Sequence, residues 1–328
     1  MGGALIIAGD IGGTKTYLAA FDPAAHGFEP IAERRYETAV YSSAGALLAA
    51  FAADTQTTPG RVILGVPGPV RQLPVRAVNL PWSIDPDEIS AALAGVEVHL
   101  LNDLQATSYG TLVLKPDDLC PLNEGQEDKE GNIAVIAAGT GLGEGGLSWA
   151  DDRYASIASE GGHSTFSPAS ELEVDLWRYL NERHGHVSWE RVIAGPGLAS
   201  IYDFLLERNP DRESAELREE LASGDRSDII SRSGLAQRCA LAAEALDLYV
   251  YLYGCEAGNL ALKLMSSGGV FIGGGIAPKI LDKLCDGRFM EGFVAKGRMG
   301  EPLEDIPVHV VLNDKTGLLG AAYWGAQL

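Results

Sequence analysis

Glycine placement constrains this chain more than any other feature. Of its 328 residues 40 are glycine, against a usual share of roughly 7%. They gather at Gly9–Gly13, Gly139–Gly146, Gly161–Gly162 and Gly268–Gly275, and the clusters follow apolar runs. Glycine bunched at the end of a strand lets the backbone approach a ligand closely; a flexible linker would spread it evenly. ALIIAGDIGGTKTYLAAFD reads as strand, glycine turn and strand, and AAGTGLGEGGLSW repeats that plan. Two such hairpins predict a duplicated architecture.

Between the glycine clusters, strands and helices alternate, which indicates an α/β fold. Val62–Val66, Val96–Leu101, Ile133–Ala137 and Val308–Leu312 read as strands. Ser43–Ala53 reads as a helix packed through Leu47, Leu48 and Phe51. Asp85-Pro86-Asp87-Glu88 is a helix start, with an acid at the cap, proline at the first position and Glu three residues on; Gly95 stops that helix. From Leu235 to Leu264 apolar residues recur every three or four positions, predicting one long helix in which Gly254 and Gly258 permit close packing. A chain of 328 residues exceeds what one core serves, so two lobes are expected. The expected division is 1–112 plus 313–328 for a small lobe and 113–312 for a large one.

Composition excludes several function classes. The formal charge is −20, from 45 acidic and 25 basic residues. Such a surface repels nucleic acid and anionic membranes. An anionic nucleotide would need local help from Mg²⁺, backbone N–H groups or a helix N-terminus. The four cysteines form no C-x-x-C pair, which reads as reduced thiols in a cytoplasmic protein. The opening apolar run is short and stops at Asp10, so it is a strand and not a signal peptide. The longest apolar stretch, Ala240 to Met265, is interrupted by Glu244, Asp247, Glu256 and Lys263, so no membrane span is expected.

Five segments could carry chemistry. In Gly9-Asp10-Ile11-Gly12-Gly13-Thr14-Lys15, Thr14 stands where a P-loop needs glycine before its lysine. A hairpin fits instead: Gly12 and Gly13 make the turn, Thr14 offers hydroxyl and N–H to phosphate, and Asp10 can hold a Mg²⁺-bound water. It reads equally as a tight turn without a ligand. Gly141, Gly143 and Gly146 match G-x-G-x-x-G, but the β-like Leu147–Trp149 argues against the helix that a dinucleotide site requires. Asn102-Asp103 lies at a strand-to-helix junction, where both residues are ordinary caps, yet an acid there can also accept a proton from a bound hydroxyl. Ser159-Glu160-Gly161-Gly162-His163 could bind neighbouring sugar hydroxyls or be an unremarkable surface loop. Glu190 follows Ser188 in a helix first turn, a position favourable to an acid with no ligand at all. His184 and His186 flank Gly185 at a helix end, where positive side chains suit the dipole.

Taken in order, these segments resemble the bacterial glucokinase family of the hexokinase–actin–Hsp70 superfamily. GDIGGTK and AAGTGLG resemble its two phosphate motifs, LNDLQATSYG the catalytic segment and SEGGHSTFSP the sugar loop. HVSWERVIAGPGL resembles the segment supplying a further sugar-binding Glu, GGVFIGGGIAP the adenosine motif and DKTGLLGAAYWG the terminal helix. The resemblance implies a two-lobed actin-like ATPase (ribonuclease H-like) fold with duplicated mixed sheets and an interlobe cleft. It implies transfer of the ATP γ-phosphoryl group to the 6-hydroxyl of glucose, with Mg²⁺, in a homodimer acting in glycolysis. Asp103 becomes the general base; Asn102, Glu160, His163 and Glu190 become ligands of the other hydroxyls, which replaces the structural reading of Glu190. Gly12, Gly13, Thr14, Thr140 and Gly141 would line the phosphates, and Gly274 and Gly275 the adenosine. Asn79 and Trp82 would border the sugar. Ser164–Pro168 replaces the cysteine-rich segment of the related zinc-binding kinases, so no zinc is expected. A kinase for mannose, fructose or an N-acetyl amino sugar is the alternative, as is a non-catalytic sugar or nucleotide sensor on the same fold.

Overall fold

The structure, a computed structural model, describes residues 5–25, 28–77 and 80–328. Asn79 lies outside the described residues. The chain divides into two compact units, Met1–Asp118 with Ser156–Ala158 and Asn313–Leu328, and Leu119–Ala155 with Ser159–Leu312.

In the first unit the chain runs β1 (Leu5–Ile11), β2 (Lys15–Phe21), β3 (Ala32–Glu37), α1 (Ala44–Thr55), β4 (Pro59–Val66), α2 (Pro86–Ala92), β5 (Glu97–Asn102) and α3 (Asp103–Gly110). The helix Thr316–Ala326 closes it. The sheet order is β3-β2-β1-β4-β5, with β1 antiparallel to β2 and parallel to β4. Central β1 buries Ile6, Ile7, Ala8 and Ile11, which is why its sequence is a continuous apolar run. Leu47, Leu48 and Phe51 of α1 share a core with Val62 and Leu64 of β4. β3, with the sequence AERRYE, is an edge strand that no apolar pattern announces. Glu88 does not close a box on its own helix as its spacing suggests. Its carboxylate accepts from Ser43 Oγ (2.6 Å) and Gly45 N (3.2 Å), so α2 caps α1.

The second unit contains β6 (Leu119–Pro121), β7 (Ile133–Ala138), β8 (Leu142–Ala150) and β9 (Arg153–Ile157), followed by α4 (Glu171–His184), α5 (Trp189–Ile193), α6 (Gly195–Arg208), α7 (Ala215–Ser223), α8 (Arg226–Leu235) and α9 (Ala240–Leu264). Then come β10 (Gly269–Gly273), α10 (Leu281–Leu284), α11 (Arg288–Val294) and β11 (Val308–Val311). Its sheet order, read from β9, is β9-β8-β7-β10-β11-β6. That order repeats the first sheet with one strand added, so the architecture is duplicated.

The helix expected from Leu235 to Leu264 is α9 over all but its first turn. The backbone turns at Ala236–Cys239, where Gln237 has φ +53°, and α9 begins at Ala240. Leu235, the last residue of α8, and Cys239 in the turn pack on the same core as α9, so the apolar spacing runs on through the break. Within α9 the glycines act as expected. A Cβ at Gly254 would lie 2.0 Å from Phe289 O, and one at Gly258 2.3 Å from Phe293 O, both on α11. No helix of the described residues is long and apolar enough to cross a membrane.

Candidate active site

Asp103 is the first residue of α3 and is exposed. It does not carry the cap. Asn102 does, accepting from Leu104 N (3.0 Å) while Gln105 Oε1 accepts from Asn102 N (3.2 Å). The Asn102 amide also donates to Gly68 O (3.2 Å), which anchors it to the loop after β4. Asp103 Oδ1 accepts from Leu104 N at 2.8 Å.

Asp10, near the end of β1, is close enough to feel Asp103. Its carboxyl is pushed up to about 6, chiefly by burial and then by the Asp103 charge. The folded value exceeds the ordinary aspartate value of 3.8, so this contribution to stability is complete below pH 3.8 and is lost as pH rises to about 6. Ionised Asp10 therefore destabilises the fold at neutral pH by roughly 2–3 kcal/mol. In metal-free, nucleotide-free buffer, Asp10→Asn should exceed the parent in stability by a margin that grows between pH 4 and pH 6 to about that size. Urea unfolding across this range checks it; a margin independent of pH would contradict it.

The β1–β2 turn is built as a glycine hairpin. Gly12 N donates to Lys15 O at 3.0 Å, and a Cβ at Gly12 would lie 2.6 Å from that oxygen. Thr38, which sequence reading did not single out, pins the turn. Its hydroxyl donates to Gly12 O (2.7 Å) and its N–H to Thr14 O (3.0 Å). Gly13 and exposed Thr14 form the tip. Trp82 donates its indole N–H to Tyr41 O (2.9 Å) and packs on the core of this unit.

In the second unit, Glu160, His163 and Glu190 come together. Gly161–His163 forms a 3-10 turn. His163 Nδ1 is 3.7 Å from Glu190 Oε1, and Nε2 is 4.0 Å from Glu160 Oε2. His186 Nε2 contacts His163 O at 3.1 Å, so this histidine supports the turn as a structural group. His184, exposed at the end of α4, has its pKa lowered by desolvation and by the nearby Arg191 and Arg183.

Glu190 lies in the first turn of α5, capped by Ser188, as its spacing suggests. Its long-range bonds are what sequence cannot show. Oε2 accepts from Leu142 N (3.0 Å), and a Cβ at Gly141 would sit 2.7 Å from that oxygen. Glycine at 141 thus lets the β7–β8 turn meet the Glu190 carboxylate of α5. G-x-G-x-x-G here continues into strand β8 rather than a helix, which removes the dinucleotide reading.

A cavity of about 550 Å³ opens beside the β7–β8 turn. Gly139, Thr140, Gly275, Ile276, Ser227 and Lys279 are among its walls. A Cβ added at Gly139 or Gly275 would meet nothing within 4 Å. The glycine-edged walls and the ammonium of Lys279 fit a nucleotide. Gly274 plays a different part: its φ is +84° and a Cβ would fall 2.3 Å from Ala138 O, so it packs β10 against β7. Tyr249 closes the cavity, its hydroxyl donating to Ile193 O at 2.6 Å. No local motif marks Ser227, Lys279 or Tyr249, because they reach the cavity from separate helices.

Among the described residues, no group of three or more His, Cys, Asp or Glu side chains could hold a metal ion. Mg²⁺ needs less, since it keeps its waters and takes one or two carboxylates with substrate phosphates. The crowded Asp10 carboxyl fits that requirement.

Comparison with known proteins bears on this geometry. A family model described as Glucokinase matches residues 7–328. A glucokinase of Synechocystis sp. is 39% identical over 350 residues, covering 99% of each chain. The crystal structure of glucokinase from an Antarctic psychrotroph superposes with a TM-score of 0.86 at 30% identity, covering 98% of each chain. That of Balamuthia mandrillaris glucokinase in complex with glucose has a TM-score of 0.77 at 20% identity, covering 99% of this chain and 94% of the other. The fold is the actin-like architecture of the sugar kinases, and the chain belongs to the glucokinase family.

Proposed function

We propose that Asp103 is the general base of the ATP-dependent glucokinase reaction and that Glu160, His163 and Glu190 hold the glucose hydroxyls, with Asn102 as a further ligand. The observation that carries this reading is the grouping of two carboxylates around His163, at 3.7 and 4.0 Å. Donors and acceptors so interleaved match vicinal hydroxyls, each of which both donates and accepts. The base then belongs to the first unit and these three ligands to the second.

Asp103 accepts the proton of the 6-hydroxyl as its oxygen bonds to the γ-phosphorus. The bond from that phosphorus to the bridging oxygen breaks, and ADP leaves with the electron pair. Gly12 shapes the first hairpin, with its own N–H bonded inside the turn. Gly13, Thr14, Thr140 and Gly141 present N–H and hydroxyl groups to the phosphates, and the cavity edged by Gly275 receives the adenosine. Asp10 would hold a hydrated Mg²⁺, which supplies neutralisation of phosphate charge. The four thiols are free, in keeping with work in a reducing cytoplasm.

A sugar panel under a coupled ADP-release assay tests the substrate. Glucose should give the highest kcat/KM, ahead of mannose, fructose and N-acetylglucosamine. A higher value for any of these would reassign the substrate.

A further inference from the structure

We infer that Cys120 and Cys285 form a peroxide-sensitive modification site, whose closure to an intramolecular disulfide staples the second unit. The two residues stand 165 positions apart in the chain, yet their sulfurs are 3.8 Å from each other. Cys120 lies on β6, the edge strand of the second sheet, where it pairs with Val310 of β11. Cys285 directly follows α10, and its N–H donates to Leu281 O at 2.9 Å. Neither residue belongs to the segments assigned to glucose or nucleotide.

The pair is reachable from solvent. Cys285 is exposed and Cys120 half-buried, whereas Cys239 and Cys255 are buried. A disulfide needs the sulfurs to close to about 2 Å, and the backbone on the Cys285 side has room for that movement. α10 is only four residues long, and Gly287 just beyond Cys285 has φ +97° with nothing within 4 Å of its Cβ position.

A peroxide supplies the oxidant. One sulfur attacks a peroxide oxygen; the O–O bond breaks, a sulfenic acid forms, and water leaves with the thiol proton. The second sulfur then attacks the sulfenic sulfur. The S–S bond forms, the S–O bond breaks, and a second water leaves with the second thiol proton. The pair loses two electrons and the peroxide gains them. Burial, then the contact with Cys120, then Asp282 and Asp286, push the Cys285 thiol up to about 11. Little thiolate is present near neutral pH, so closure is slow. A thiol of high pKa is also a poor leaving group, so the closed bond exchanges slowly. The site is therefore a durable staple and not a fast switch.

Closure would gather residues 120–285 into one covalent ring. That ring holds the sugar turn Gly161–His163, α5 and the walls of the nucleotide cavity, from Gly139 to Ile280. A link across so long a loop removes freedom from the unfolded chain and so favours the folded unit.

The test is hydrogen peroxide treatment of the full-length protein near neutral pH. The free thiols should fall from four to two, with a mass lighter by two hydrogens. Digestion without reductant should yield a peptide joining Cys120 to Cys285. The linked protein should melt at least about 4 °C higher, and excess dithiothreitol should restore both thiols and the original Tm. Cys120→Ser and Cys285→Ser should each show neither the link nor the rise. Survival of all the thiols in excess peroxide, oxygen added to Cys285 without a link, or a link between two copies would overturn the inference. So would a linked protein whose Tm has not risen.

Discussion

Asp103→Asn should lower kcat by about 10²–10⁴, the usual worth of a general base, while the glucose KM stays within about threefold. Asparagine matches the carboxylate in shape but cannot take the proton. The helix should survive the change, because Asn102 and Gln105 carry the cap of α3 and Asp103 does not. A loss confined to kcat marks an interaction made only in the transition state. The substitution has a second, independent signature. With the Asp103 charge gone, the raised pKa of Asp10 should relax toward its ordinary carboxyl range, since Asp103 is one of its two causes. NMR titration of the Asp10 carboxyl would read that shift separately from turnover.

Gly320→Ala should destabilise the protein by about 3 kcal/mol or more, at the upper end of overpacking costs. The closing helix Thr316–Ala326 crosses α3 with backbone against backbone. A Cβ at Gly320 would lie 1.8 Å from Ala106 O and 2.4 Å from Gly110 N. Across the same contact, a Cβ at Gly110 would lie 2.0 Å from Thr316 O. No flexible side chain is available to give way, so one helix must move. Because α3 begins with Asp103, the movement should also reduce kcat. A thermal melt should show Tm falling by roughly 4 °C or more. Gly139→Ala serves as the contrast, since its Cβ would meet nothing within 4 Å, and its Tm should hold. Equal melting of Gly320→Ala and the parent would mean that the α3 crossing is looser than described.

The parts of this fold legible from sequence are those encoded by neighbours in the chain. Glycine after an apolar run located both hairpins, and Asp85-Pro86 and Ser43 marked helix starts, because caps and turns are local chemistry. Edge strand β3 was hidden because AERRYE is exposed and carries no alternation of buried residues. The α8–α9 break was hidden for the opposite reason, since apolar spacing persisted through it. At the candidate site, Glu190 shows the limit most clearly. Its place in a helix first turn was readable, but its bond to Leu142 N and its approach to His163 depend on segments some 25 to 50 residues away. Thr38 acts over a similar separation, holding the Gly12 turn from below. Its residue type is ordinary where it occurs, so only the tertiary structure exposes its part.

The most direct measurement is calorimetric titration of glucose into the Asp103→Asn protein, beside turnover on the same sample. A catalytic base predicts glucose affinity close to that of the wild type in a protein whose turnover has fallen at least about a hundredfold. Undiminished turnover, or affinity lost in proportion to turnover, would contradict it.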